Sequence, residues 1–284
     1  MKRRTFLAML GSAGAASAVT LPAWSGSRTQ TQKSGDPVGV LIDTTRCLGC
    51  QACEAACAEA NGLPEPAPND TNNPSLRQTT TTQLTAVQTF KTDKGEIYVK
   101  RQCMHCLEPA CAAACLTKAM NKTDEGPVEW RVGKCMGCRY CMLSCPFEMP
   151  RFEYNKAVPS IVKCQMCHAR LAEGKRPACV ENCPNEALMF GKRSELLSEA
   201  HKRIAEQPDA YYPHVYGERE AGGTSVMYLS AVPFEQIGLR TDLGEIAYPE
   251  YTRNFLTAVP VVLTLGPMAL LALNRATERG GEEQ

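Results

Sequence analysis

The sequence predicts an α+β fold, with two pseudo-symmetric units in one domain over residues 36–250 and a transmembrane helix over residues 254–273. Three observations predict it. Sixteen cysteines fall into four groups of four with nearly the same spacing. A short run of β-forming residues precedes each group. Near the C-terminus, residues 254–273 pass without a single charge.

The N-terminus reads Met1-Lys2-Arg3-Arg4-Thr5-Phe6-Leu7, followed by small apolar residues to Leu21 and the small-residue site Ala16-Ser17-Ala18. A basic flank, an apolar middle and a small-residue site predict a signal peptide over residues 1–26. The pair Arg3-Arg4 ahead of Phe6-Leu7 gives it the twin-arginine form; an ordinary secretory signal with two arginines at its charged end is the bland alternative. The twin-arginine route carries folded proteins, which suits a chain that must close around a metal centre before export.

Residues 254–273 are mostly Leu, Val, Ala, Met and Thr. At ~1.5 Å per residue such a stretch spans a ~30 Å hydrocarbon layer. Pro260, Gly266 and Pro267 would break a soluble helix but are better tolerated in a membrane. Arg275 and Arg279 in the tail, residues 274–284, fit a cytoplasmic end. The domain is then expected on the periplasmic face of the inner membrane, anchored by its last helix. A kinked core helix is the competing reading.

The net charge of +1 gives no basic footprint for nucleic acid. The chemistry sits in the cysteines. The groups are Cys47, Cys50, Cys53, Cys57; Cys103, Cys106, Cys111, Cys115; Cys135, Cys138, Cys141, Cys145; and Cys164, Cys167, Cys179, Cys183. The first and third follow C-x2-C-x2-C-x3-C, and the second and fourth widen the middle gap. A C-x2-C-x2-C loop can wrap one corner of an iron–sulfur cubane and offer three thiolates to three irons. The fourth cysteine points away and, in two-cluster proteins of this spacing, ligates the other cluster. The groups are therefore expected to work in pairs.

Two rivals compete. An exported chain with an even number of cysteines could be stapled by disulfides, but thiols so close in sequence cannot all pair locally without strain. Structural zinc also uses C-x2-C pairs, yet a triple plus one is not its usual arrangement.

The expected strands before the groups are residues 38–42, 96–100, 128–132 and 160–163, with a further apolar run at 186–190. Residues 58–102 read as an insert. Pro64, Pro66, Pro68 and the threonine run 79–82 suggest a polar surface loop. Residues 194–207 suggest an amphipathic helix with Leu196, Leu197, Ala200 and Ile204 on the face that packs on the domain.

The cysteine groups, together with Arg101-Gln102-Cys103-Met104-His105-Cys106, Cys138-Arg139-Tyr140-Cys141-Met142 and the ligand-free stretch from Tyr211-Tyr212-Pro213-His214 to Gly222-Gly223-Thr224, resemble a known family. It is the four-cluster ferredoxin-like electron-transfer subunits of membrane-bound respiratory oxidoreductases, and in particular the iron–sulfur subunit of the periplasmic hydrogenase-2 type nickel–iron hydrogenase. The resemblance covers almost the whole chain.

It implies four [4Fe-4S] clusters with crossed ligands. Cluster 1 takes Cys47, Cys50, Cys53 and Cys183. Cluster 2 takes Cys164, Cys167, Cys179 and Cys57. Cluster 3 takes Cys103, Cys106, Cys111 and Cys145, and cluster 4 takes Cys135, Cys138, Cys141 and Cys115. It also implies bacterial ferredoxin-like units and a relay of electrons between a catalytic nickel–iron hydrogenase and an integral membrane quinone-reactive subunit. The same relay in a formate dehydrogenase or a sulfur-compound reductase with molybdopterin is the alternative.

No catalytic machinery is read in the chain itself. His105 and His168 lie in or beside the cysteine groups and are expected to tune rather than ligate. Lys100, Arg101, Lys163 and Arg139 are expected either to offset cluster charge or to form a solvated basic surface.

Overall fold

The computed structural model describes residues 35–67 and 77–279. The expected signal peptide, the middle of the insert and the end of the tail lie outside the described residues. The chain divides into a compact unit, Ser34–Tyr251, and a second unit that takes in the residues from Thr252 onward.

Strand β1 (Val38–Asp43) is the centre of the compact unit. It pairs antiparallel with β8 (Leu188–Lys192) and parallel with β9 (Val226–Leu229), in the order β8-β1-β9. Alternate residues of a strand face opposite sides, and both sides of β1 are covered. Val40 and Ile42 join the larger core with Leu188, Val226, Tyr228 and Phe234. Leu41 joins a second core with Met227, Leu229, Val215, Leu196 and Ala200.

The last two of these belong to helix α6 (Arg193–Glu206), which is the expected amphipathic helix; Leu197 and Ile204 pack at the margin of the same core. Asp36 caps its start by accepting from the Ser194 N–H at 3.2 Å and from the Ser194 hydroxyl.

The insert is not a polar loop throughout. Its second half forms a hairpin of β2 (Ala86–Thr92) and β3 (Gly95–Arg101) joined by Asp93 and Lys94. Ala86, Val87 and Val99 are buried. What pulls the segment inward is Glu54 on helix α1 (Ala52–Ala60), itself buried. Its carboxylate accepts from the Arg77 guanidinium, from Gln83 Nε2 at 2.9 Å and from the Val87 N–H.

The remaining strands are short: β4 (Met120–Lys122) with β5 (Val128–Trp130), and β6 (Arg151–Phe152) with β7 (Ile161–Val162). The strand expected over 128–132 ends at Trp130; Arg131 still donates its N–H to Ala119 O, and a tight turn at Val132–Lys134 then takes the chain out of the ladder. Short helices carry the third cysteine of the later groups, Cys111 on α2 (Ala110–Ala113), Cys141 on α3 (Tyr140–Leu143) and Cys179 on α5 (Ala178–Glu181), while α4 (His168–Ala172) starts directly after Cys167. Helix α1 packs on α5, and α2 packs on α3.

Helix α7 (Tyr248–Arg279) contains the span expected over 254–273 and runs unbroken through Pro260 and Pro267. Among the described residues it is the one helix long and apolar enough to cross a membrane. Phe255, Leu263 and Leu271 stand exposed on it. A helix that is apolar all round and unburied is at home in lipid. The hydroxyls of Thr257 and Thr264 are satisfied inside the helix, by Asn254 O and by Pro260 O, each at 2.9 Å.

Candidate metal centres

All sixteen cysteines are free thiols, and the backbone repeats around them. In the first Cys-x-x-Cys pair of each group the residue before the second cysteine has positive φ: Gly49 at 67°, His105 at 48°, Gly137 at 74° and Met166 at 52°. Two of the four are glycine, the residue that adopts this conformation without strain. His105 and Met166 hold it despite a Cβ, at a cost of roughly 1–2 kcal/mol each. A second repeat follows the last cysteine of three groups, where Lys118, Glu148 and Glu186 have φ near 50° and return their N–H to the carbonyls of Cys115, Cys145 and Cys183. One loop geometry is thus built four times from different sequences.

The cysteines come together across groups. One cavity is lined by Cys47, Cys50, Cys53 and Cys183. A second is lined by Cys57, Cys164, Cys167 and Cys179. The packing of α1 on α5 makes this exchange possible, since α1 carries Cys53 and Cys57 while α5 carries Cys179. In the other half of the unit, the thiol of Cys106 feels Cys145, Cys103 and Cys111. That of Cys141 feels Cys115, Cys135 and Cys138. Here α2 packed on α3 brings the second and third groups together.

Among the described residues, no three His, Cys, Asp or Glu side chains converge as the ligands of one metal ion would. Zinc at ~2.3 Å from each sulfur would need that convergence. The four thiolates of a cubane bind four different irons and stand further apart.

Burial pushes the thiols up: Cys53, Cys57 and Cys111 to about 12, Cys141 to about 11. Buried thiols of this kind ionise when a metal takes the proton's place. Cys115 moves the other way. Burial raises it, but the Met120 N–H at 3.4 Å and the Thr117 hydroxyl at 3.7 Å outweigh burial and lower it. The donor set and the thiol-lined cavities fit iron–sulfur clusters.

Residues 95–193 match the 4Fe-4S dicluster domain family. The chain is 34% identical to hydrogenase-2 operon protein HybA of Escherichia coli O157:H7, over 100% of this chain and 99% of that protein. It is 36% identical to the iron–sulfur subunit of the nitrate-inducible formate dehydrogenase of Escherichia coli K12, over 68% of this chain and 67% of that one. A protein of Nitratidesulfovibrio vulgaris is 46% identical over 98% of this chain and 78% of its own length.

The chain belongs to the ferredoxin-like iron–sulfur subunits. As such a subunit it carries 4Fe-4S clusters and transfers electrons. The ligand-free stretch that resembles this family, together with Ser225 and Val226 just beyond it, has a visible job in the iron–sulfur subunit. Leu107 N–H donates to Gly223 O, Ser225 N–H to His105 O and Val226 N–H to Met104 O, at 3.0–3.2 Å. The segment thereby grips the Cys103–Cys106 loop from outside. Gly217 permits the fit, since a Cβ there would meet Thr224 Oγ1 at 2.5 Å.

The basic residues flagged from the sequence separate into two kinds. Lys100 and Lys163 are buried. Arg139 is exposed and lies over the rings of Phe152 and Tyr154 at 5.4 and 5.8 Å, while Arg101 donates to Gly238 O at 3.0 Å. A third lysine near the thiols, Lys122, is not singled out by the sequence; its ammonium donates to His105 O at 3.1 Å. Its signal is only a lone lysine in a three-residue strand.

His105 is fully buried. Its Nδ1 accepts from the Val128 N–H at 2.8 Å, which leaves the proton on Nε2. Burial first, then Lys163, Lys122 and Lys100, hold the ring well below its ordinary value, so it stays neutral. His168 stands 3.6 Å from Glu129, His201 3.2 Å from Glu218 and His214 2.6 Å from Glu220.

Proposed function

We propose that this iron–sulfur subunit holds four [4Fe-4S] clusters and relays electrons between a periplasmic nickel–iron hydrogenase and an integral membrane quinone-reactive subunit. Cluster 1 is held by Cys47, Cys50, Cys53 and Cys183, and cluster 2 by Cys57, Cys164, Cys167 and Cys179. Cluster 3 is held by Cys103, Cys106, Cys111 and Cys145, and cluster 4 by Cys115, Cys135, Cys138 and Cys141. The observation that carries the reading is the pair of cavities, each lined by three cysteines of one group and one of another. When bound, the clusters supply one-electron chemistry; the chain holds them, shields them and spaces them.

The recurring positive φ and the two helix pairings support two related ferredoxin-like halves. Two exposed ends support a through-going relay. Leu48 and Cys50 are exposed on the cluster 1 side. On the cluster 4 side Cys138 is exposed, and so are Leu116, Val132, Met136, Tyr140 and Leu143, which lie near the cluster 4 cysteines in sequence. Exposed apolar patches beside a redox centre suit partner proteins.

The hydrogenase reading rests on the end-to-end match with HybA. The runner-up, a formate dehydrogenase or related molybdopterin enzyme, is favoured by the formate dehydrogenase match, which covers less of the chain. Purification of the membrane-extracted complex separates them: a co-purifying nickel–iron subunit supports the first, a molybdopterin subunit the second. Iron and acid-labile sulfide near zero in anaerobically purified protein would sink both. Export by the twin-arginine route and a periplasmic position belong to the same proposal. Replacing Arg3 and Arg4 by lysine should leave the chain in the cytoplasm.

A further inference from the structure

Lys100 lies at the end of strand β3 with its side chain turned into the protein, 2% exposed. It lines both thiol cavities at once, the one with Cys47, Cys50, Cys53 and Cys183 and the one with Cys57, Cys164, Cys167 and Cys179. Its Nζ bonds the Gln102 Oε1, itself buried. Its backbone is pinned by the Tyr228 hydroxyl, which donates to Lys100 O at 2.8 Å. Among the described residues that line the two cavities there is no carboxylate. A buried ammonium needs opposite charge, and here the thiolates are the opposite charge.

Neither of the other two lysines near the thiols lines these cavities. Lys122 lies by Cys106 and Cys103. Lys163 bonds Val128 O and Cys164 O and acts on Cys111.

We propose that Lys100 is a shared buried cation for clusters 1 and 2, holding both at a higher reduction potential than the thiolate ligands alone would give. Reduction adds one negative charge to a cluster, the electron arriving from a donor and leaving to the next acceptor. A fixed positive charge in a low-dielectric interior favours the reduced form of each neighbour. Lys100 touches no substrate; it is a positioning residue for charge, and it ties the potentials of two relay steps to one side chain. The inference rests on the ligand sets proposed above.

The test uses the full chain, purified anaerobically in its complex, with potentials read by titration followed by electron paramagnetic resonance. Loss of signals in Cys183→Ser and Cys57→Ser assigns clusters 1 and 2. In Lys100→Met, both of these potentials should fall while those of clusters 3 and 4 stay. Lys100→Arg should restore them, and Lys122→Met should shift cluster 3 and leave clusters 1 and 2. Potentials unchanged in Lys100→Met, or all four shifted alike, would overturn the proposal. If Lys100→Met fails to load, Lys100→Gln is read in the same way. Should both neutral variants lose clusters 1 and 2, retention in Lys100→Arg supports the cation and loss there too overturns it. Iron and sulfide content of the unaltered chain tests the cluster reading separately.

Discussion

Gly133 and Gly137 lie in one cysteine segment and should answer differently to the same methyl group. Neither has an atom within 4 Å of an added Cβ, but Gly137 has φ 74°. Gly137→Ala should therefore cost about 1 kcal/mol, as left-handed strain does. Gly133→Ala should stay within about 0.5 kcal/mol. Thermal unfolding of the loaded protein checks both. A substitution at Glu54 should cost more. Its carboxylate is fully buried against the Arg77 guanidinium. Glu54→Ala leaves that charge without its partner and should cost about 3–5 kcal/mol, read as an earlier denaturant midpoint. None of this is visible in Ala52-Cys53-Glu54-Ala55, where an acid in a helix reads as a solvated face. Its partners, Arg77 and Val87, come from a segment whose prolines and threonines suggest a surface loop. The cysteines are legible because their spacing is a local constraint, while Glu54 is buried by residues that only the fold brings near.

Strand and helix signals hold where the pattern is local and strong. Residues 38–43 and 193–206 keep their expected types because a short run of apolar, β-forming residues and an amphipathic stripe are both intact there. The hairpin of β2 is lost among polar residues: Gln88, Thr89 and Lys91 interrupt its apolar positions. The centre of the sheet offers a test. A Cβ on Gly39 would meet Ser225 O at 2.3 Å, and that same carbonyl accepts the Val40 N–H at 2.8 Å. Gly39→Ala should push β1 from β9 and cost about 1–3 kcal/mol. The Val40 amide should then exchange its hydrogen faster. Helix α7 is a separable element. A chain ended after Thr252 should leave the membrane fraction and keep its iron, and a truncated chain that stays with the membrane would count against an anchoring role for the helix.

At the scale of the whole chain, much of the compact unit is organised around thiols rather than around apolar packing alone. Helices α2, α3 and α5 have four residues each, too few to hold themselves in water. Their stability depends on what the cysteines bind, and metal binding then is folding energy. Stripping iron with a chelator should collapse the regions of the second and third groups first, because their local core is small. Helix α6 should outlast them on its own core. Hydrogen exchange along the chain reads the order.

What the sequence could not convey is the order of the central sheet, since β9 lies in a stretch with no ligand and no repeat. That order has a consequence for how the protein is made. Its middle strand is synthesised first and both neighbours late, with the second ending at Leu229. While the ribosome works through everything between, β1 waits without a partner, an open edge for any other strand. A chain broken off before Val226 can never close that sheet. Closure of the sheet thus waits on synthesis through Leu229, and a copy that stops before Val226 leaves one edge of β1 open.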